Sequence, residues 1–197
     1  MQANDAQLIE KSIEEPEVFG AIFDRYFTTI YRFCVRRVGA VAGEDLAGDV
    51  FRWAFENRHR FDPTTGDCRP WLYRIANNFV RNAVRSSGRQ AVAYDRWVVG
   101  EGQDSSPLDA LVAGGIDADR DLRAVAAALE LQPPEEVETL LLFAWDGLAY
   151  AEIASVLDIP IGTVRSRISR IRRRLRDVLD TSLLPNSCQD TSLGGNS

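Results

Sequence analysis

Apolar residues recur at steps of three and four along most of this chain. The first such run is Val18, Phe19, Ile22, Phe23, Tyr26, Phe27, Ile30, Tyr31, Cys34 and Val38. That spacing lines one broad side of a helix. It predicts a helix over about 16–38, with Pro16 and Glu17 in the first turn and Gly39 ending it. Leu46, Val50, Trp53 and Ala54 predict a second helix over about 43–58. Leu72, Ile75, Ala76, Phe79 and Ala83 predict a third over about 70–87, stopped by Ser86-Ser87-Gly88. Between them, Phe61-Asp62-Pro63-Thr64-Thr65-Gly66-Asp67 has turn chemistry. From about 90 to 118 the periodicity fades and Gly, Ser and Pro stand among acids, the composition of a flexible linker. Helical spacing returns over about 119–131, 134–146, 150–157 and 162–179, with Pro133-Pro134 separating the first two. No apolar–polar alternation bounded by hairpin turns occurs. The expected fold is all-α: two small helical domains, at 16–90 and 119–180, joined by a flexible acidic linker at 91–118. A tail or short helix precedes them at 1–15, and a disordered tail follows at 181–197.

The segment from Tyr150 to Ile168 reads as a helix-turn-helix. Ile153, Ala154 and Leu157 would face the core, Asp158-Ile159-Pro160 would turn, and Ile161-Gly162-Thr163 would open the second helix with Thr163 as its cap. Val164, Ile168, Ile171 and Leu175 then recur at steps of four, three and four, leaving Arg165, Ser166, Ser169, Arg170, Arg173 and Arg174 on the other faces. An exposed Arg-rich helix after a tight turn suits the DNA major groove. Its leading polar residues reach base edges and its later arginines neutralise phosphate. The plainer alternative is a solvated basic helix. Seven Arg and no acid over 159–176 weigh against that, because like charges gain no i,i+4 pairs and repel until a polyanion arrives.

Charge sharpens this picture. The chain carries 23 Lys+Arg against 29 Asp+Glu, a net −6 that taken alone argues against a nucleic-acid partner. Its distribution reverses that: −5 over 1–24, +1 over 25–68, +5 over 69–96, −8 over 97–138, −3 over 139–158, +7 over 159–176 and −3 over 177–197. Lys11 is the single lysine, so the basic blocks are Arg, which binds phosphate and guanine bidentately. Other classes drop out. No apolar run exceeds the six residues Leu140–Trp145, too short to span a bilayer, and the first residues lack the form of a signal peptide. Cys34, Cys68 and Cys188 are odd in number and widely spaced, as in a reducing compartment. With one histidine, His59, and no Cys-x-x-Cys, neither a metal site nor a cofactor is expected.

The first domain holds two further motifs. One is the acidic-aromatic stretch Gly43 to Phe55. The other, Arg69-Pro70-Trp71-Leu72-Tyr73-Arg74-Ile75-Ala76-Asn77-Asn78-Phe79-Val80-Arg81-Asn82, interleaves Arg, Asn and aromatics. Aromatics stack on unpaired bases, Arg tracks a backbone and Asn reads base edges, a recipe for single-stranded nucleic acid. The same stretch also fits a helix whose aromatics are core and whose arginines are merely solvated. The residues alone leave both open.

Together these stretches resemble the extracytoplasmic-function sigma factors, a group of bacterial RNA polymerase subunits. The matches are Glu44-Asp45-Leu46 with Asp49-Val50-Phe51, then Trp71-Leu72-Tyr73-Arg74-Ile75-Ala76, then Tyr150-Ala151-Glu152-Ile153-Ala154 with Gly162-Thr163-Val164-Arg165-Ser166-Arg167. The chain departs from the family pattern at Gly48, usually polar there, and at Val137, where Arg is common. The resemblance implies that Asp45, Leu46, Asp49, Phe51, Trp53 and Glu56 dock on the coiled coil of the polymerase β′ clamp. It implies that the loop from Phe61 to Arg69, with Trp71 and Asn78, captures a base flipped from the minus-ten element. Arg74, Arg81 and Arg85 would hold that strand's phosphates. In the second domain, Gly162, Thr163, Arg165, Ser166, Arg167, Ser169 and Arg170 would face the minus-thirty-five element. Tyr150 and Arg172, Arg173 and Arg174 would touch phosphates, and the domain would also meet the β flap.

The expected function is that of a dissociable, non-catalytic subunit. It would give the polymerase core its promoter specificity and help melt the minus-ten element. The linker would thread the core near the RNA path. Free in solution, the chain would bind duplex DNA poorly, because its acidic segments repel it. It would be cytoplasmic, with no membrane insertion of its own, or held at the membrane by an anti-sigma factor. That partner would cover the β′-docking face or separate the domains. Two rivals remain: a stand-alone helix-turn-helix regulator, which leaves the Asp45–Phe51 and Trp71 motifs unexplained, and an all-α adaptor that binds only protein.

Overall fold

The computed structural model describes residues 4–86 and 127–182, with side chains as far as residue 177. The expected linker at 91–118, the start of the helix at 119–131 and nearly all of the tail at 181–197 lie outside the described residues. Seven helices are described in full: α1 (Asp5–Lys11), α2 (Gly20–Val38), α3 (Ala40–Glu56), α4 (Arg69–Ser86), α5 (Pro134–Ala144), α6 (Tyr150–Leu157) and α7 (Ile161–Ser182). Single 3-10 turns occupy Pro16–Phe19, Arg58–Arg60 and Pro63–Thr65. No strand occurs among the described residues.

The apolar stripes meet as their spacing dictates. Ile22, Ile30, Phe33 and Cys34 of α2 pack with Ala47, Val50 and Ala54 of α3 and Leu72, Tyr73 and Ala76 of α4, all fully buried. The helix expected from Pro16 divides: Pro16 opens a 3-10 turn, and the α-helix starts only at Gly20. Gly39, at φ 86°, ends α2 and leads straight into α3, which therefore begins three residues earlier than its periodicity indicates. Gly43 lies where the two helices cross. A Cβ there would sit 2.5 Å from the Val35 Cα, so only glycine admits this approach. Residues 4–12 are structured at their N-terminal edge. Ala6 and Ile9 join the core, and Asn4 caps α1.

In the second unit, Val137, Leu140, Leu141 and Ala144 of α5 pack on Leu129 and on Ile171 of α7. Asp158, at φ 56°, makes the left-handed turn after α6. The α7 helix opens at Ile161, and the Pro160 carbonyl accepts from the Thr163 and Val164 N–H groups. Thr163 is thus inside the first turn and does not cap it. Ile153 and Val156 are the buried residues of α6, while Ala154 and Leu157 are half-buried. The two units pack on one another: Leu142, Leu148, Ile153, Val156, Val164 and Ile168 belong to the same apolar cluster as the core of α2–α4.

Candidate nucleic-acid and polymerase interfaces

On α3, Asp45 and Glu56 are exposed and Leu46, Asp49 and Trp53 half-buried, so these five share the accessible part of the helix. Asp49 pairs with Arg52 at 2.7 Å. Phe51 is elsewhere. It is 4% exposed, with its ring 5.0 Å from Phe23 and 5.9 Å from Phe27, so it supports the face from beneath. The helical step that buries Ala47, Val50 and Ala54 carries Phe51 inward with them.

The loop between α3 and α4 is built on local bonds. The Asp62 carboxylate accepts from the Thr64 N–H at 2.9 Å and the Thr64 hydroxyl at 2.7 Å, and these bonds hold its carboxyl below the usual range. Gly66, at φ 72°, reverses the chain. Phe61 is buried and meets Trp71 edge-on at 5.4 Å, leaving Trp71 half-exposed. Phe61 is therefore a prop for the site and not its surface. Along α4, Arg74, Asn78, Arg81 and Arg85 are exposed at steps of four, three and four, one side of the helix. Leu72, Ile75, Ala76 and Val80 take the other side, and neighbouring Asn77 is 2% exposed. Of the open alternatives for this stretch, Tyr73 belongs to the core and the Arg/Asn face to solvent.

At the loop's far end, Asp5 is 4% exposed. Its carboxylate accepts from the Tyr26 O–H at 2.5 Å, from the Cys68 N–H at 3.2 Å and from the Arg25 guanidinium. Burial alone would raise its carboxyl, but these bonds and the Arg25 charge outweigh burial and hold it below the usual range. Burial raises both described thiols, Cys34 to about 12 and Cys68 further still, the latter also facing the Asp5 charge.

On α7, Gly162, Arg165, Ser166, Ser169 and Arg173 are exposed, and Thr163 and Arg167 half-buried. The Ser166 hydroxyl donates to the Thr163 carbonyl at 2.9 Å. Arg170 and Arg174 turn to another side, toward Glu136 at 2.9 and 2.8 Å. Glu136 is only 5% exposed, and a buried carboxylate requires such partners. A cleft of about 440 Å³ opens between α6 and α7, lined by Tyr150, Arg165, Ile168, Ser169, Arg172, Arg173 and Arg176. The Arg172 guanidinium lies over the Phe143 ring at 4.9 Å. Arg176 was absent from the expected set, although the 165, 169, 172, 176 step is visible in the sequence.

The two faces are not independent. The Asp146 carboxylate is fully buried between the units and accepts from Arg36 at 3.0 Å and Arg37 at 2.9 Å. Arg37 also donates to the Phe33 carbonyl and lies 3.7 Å from the centre of the Phe33 ring. Arg69 donates to the Asp146 carbonyl at 2.5 Å and approaches Glu152 at 3.7 Å. Arg74 pairs with Asp158 at 3.6 Å. Two of the expected minus-ten contacts thus face acids of the second unit.

Comparison with known proteins agrees with this architecture. The Sigma-70 region 2 profile matches residues 22–90, and the Sigma-70 region 4 profile matches residues 122–175. The chain is 30% identical over 193 residues to the ECF RNA polymerase sigma factor SigW of Bacillus subtilis, covering 87% of this chain and 98% of that one. It is 32% identical over 198 residues to the RNA polymerase sigma-H factor of Pseudomonas aeruginosa, covering 93% and 96%. Against the ECF sigma factor SigE of Mycolicibacterium smegmatis it is 34% identical over 161 residues, 79% of this chain but 58% of that longer one. Among solved structures, CnrH in complex with the cytosolic domain of CnrY superimposes with a TM-score of 0.62 at 23% identity, over 90% of this chain and 97% of that one. The sigma factor RpoE of Bartonella quintana, in complex with the anti-sigma factor NepR, gives 0.56 at 24%, over 83% and 98%. The two structures share the fold, and the matched regions share their order. With its two sigma-70 regions in sequence and its near full-length relatives, the chain belongs to the extracytoplasmic-function sigma factors, which bind RNA polymerase core and direct it to promoters.

Proposed function

We propose that residues 16–90 engage the polymerase core and the minus-ten element and residues 119–180 the minus-thirty-five element, and that the chain supplies no catalytic group of its own. The observation that carries this reading is the sorting of side chains. Arg74, Asn78, Arg81 and Arg85 share one exposed side of α4, and Arg165, Ser166, Ser169 and Arg173 share the exposed side of α7. The start of α7 enters the major groove, where Arg165 and Ser166 reach base edges. Tyr150, Arg172, Arg173 and Arg176 around the adjoining cleft neutralise the flanking phosphates. On the first domain, extruding a base costs a few kcal/mol of stacking, and the Trp71 ring and the Asn78 amide offset it. The Arg74, Arg81 and Arg85 guanidiniums then track the displaced strand. Asp45, Leu46, Asp49, Trp53 and Glu56 dock on the β′ clamp, and the second domain meets the β flap.

The described arrangement is a closed form. Arg69 and Arg74 are held against acids of the second unit, so promoter binding requires the units to part. Solved relatives bound to regulatory proteins support a partner of the anti-sigma kind, which would hold this form. No helix among the described residues is long and apolar enough to cross a membrane.

Transcription by purified core polymerase on a promoter library tests the reading. The chain should yield transcripts that depend on both elements. Arg165→Ala should lose about 1–3 kcal/mol of promoter affinity and relax specificity in the upstream element alone. A variant that initiates with unchanged upstream preference would remove α7 from the recognition role.

A further inference from the structure

The strip between α3 and α4, residues 57–68, carries the proposed base pocket, and α1 is fastened to it at both ends. At the N-terminal end, buried Asp5 accepts from the Cys68 N–H at 3.2 Å, and the Ala6 N–H donates to the Gly66 carbonyl. The same carboxylate is fixed to α2 by the Tyr26 O–H and the Arg25 guanidinium. At the C-terminal end, fully buried Ser12 accepts through its carbonyl from Arg58 Nε at 3.0 Å. Ile9, 1% exposed, seats the helix in the core between these ties.

The strip needs such ties. Bonds from Thr64 and Thr65 to Asp62 and from Gly66 to Pro63 shape the turn, and only its last two residues are tied onward: the Leu72 N–H donates to the Cys68 carbonyl at 2.9 Å, the Arg69 N–H to the Asp67 carboxylate at 2.8 Å, and the Tyr26 O–H lies 3.2 Å from that carboxylate. Asp62, Pro63, Thr64 and Thr65 are exposed, and the chain reverses at a glycine. A pocket that tells one base from another must hold its groups to within about half an ångström, and that precision comes from the residues behind them. Asp5 is the group that joins residue 68 to α2 through a single side chain.

We propose that Asp5 is a positioning residue for promoter selectivity: by anchoring Cys68 to α2, it sets where the 61–68 loop stands when a minus-ten base is captured. The proposal rests on the assignment of that loop as the base pocket. The carboxylate form matters because its two oxygens accept from an amide, a phenol and a guanidinium together, whereas asparagine offers one acceptor oxygen.

The test uses the full chain with core polymerase on templates randomised through both promoter elements. Asp5→Asn is the probe and Asn78→Ala the check on the pocket. Asp5→Asn should reduce discrimination at the captured base by about five-fold or more, while preference in the upstream element and core affinity stay within about two-fold. Amide exchange at residues 66–68 of the free chain should quicken with it. If Asp5→Asn does not fold, Tyr26→Phe removes one donor to the same carboxylate, together with its 3.2 Å contact to Asp67, and should give a weaker loss at the same base. Unchanged selectivity in Asp5→Asn beside altered selectivity in Asn78→Ala overturns the proposal and leaves the pocket standing. Unchanged selectivity in both overturns the pocket assignment, and the proposal with it. Equal losses at both elements and in core affinity would make Asp5 a stability residue only, which also overturns the proposal.

Discussion

Cys34 and Cys68 are fully buried inside the first domain, and burial disfavours their thiolates. For Cys34 the folded value is about 12 against an unfolded value of about 8.5. A raised value means that its contribution to stability is complete below about pH 8.5 and is lost as pH rises toward 12. In a Cys188→Ser background, neither remaining thiol should react with a thiol reagent at pH 8 until the chain is unfolded. Rapid labelling of the native form would show that one of them is accessible and reopen a redox role. Residue identity shows less than burial at this scale. Asn77 and Asn78 are chemically the same, yet one is in the core and the other on the exposed side of α4. Phe51 carries a family motif but its ring lies inward. In each case one helical step, about 100°, decides whether a side chain can touch a partner.

At the scale of elements, α2 and α3 cross at Gly43 and share one backbone approach, while Gly48 one turn further on faces solvent. The two glycines of one helix therefore carry opposite predictions. Gly43→Ala drives a Cβ to 2.5 Å from the Val35 Cα, and should lower stability by about 1–3 kcal/mol through overpacking. Gly48→Ala meets nothing within 4 Å, and should raise stability by about 1 kcal/mol through helix propensity. Urea unfolding midpoints of the two variants check both signs, and two changes of the same sign would refute this packing. The helices themselves were legible in the sequence, because amphipathic spacing survives in any packing. Their starts were less so. Pro16 is compatible with a 3-10 turn as well as an α-helix, and α1 is too short for periodicity to separate it from a tail.

At the scale of the molecule, one carboxylate sits between the two units. Asp146 is fully buried against Arg36 and Arg37, and removing one partner from a buried ion pair costs on the order of 3 kcal/mol. Asp146→Asn should loosen the closed form. Small-angle scattering should report a larger radius of gyration, and the free chain should bind promoter duplex more tightly once Arg69 and Arg74 are released. Unchanged scattering and unchanged affinity would show that the units are held by their apolar contact alone. The charge pattern leads to the same expectation, weak DNA binding by the free chain, by a different route. General repulsion from acidic segments was expected. The contacts are specific, with Asp146, Glu152 and Asp158 meeting Arg36, Arg37, Arg69 and Arg74.

The sequence by itself determined the helical class, the order of the two regions, the helix-turn-helix and the two basic blocks, because periodicity and charge are local properties that folding preserves. Family motifs extend this to the proposed polymerase and promoter faces. Tertiary structure alone decided the rest: that Phe51 and Phe61 support their faces from beneath, that Arg170 and Arg174 neutralise Glu136, that Asp5 fastens a distant loop, and that Asp146 joins the two regions. The ion pairs of Glu136 and Asp146 span from 34 residues, between Glu136 and Arg170, to 110, between Arg36 and Asp146. A buried charge is placed by whatever partner folding brings to it, and no local pattern encodes which partner that is.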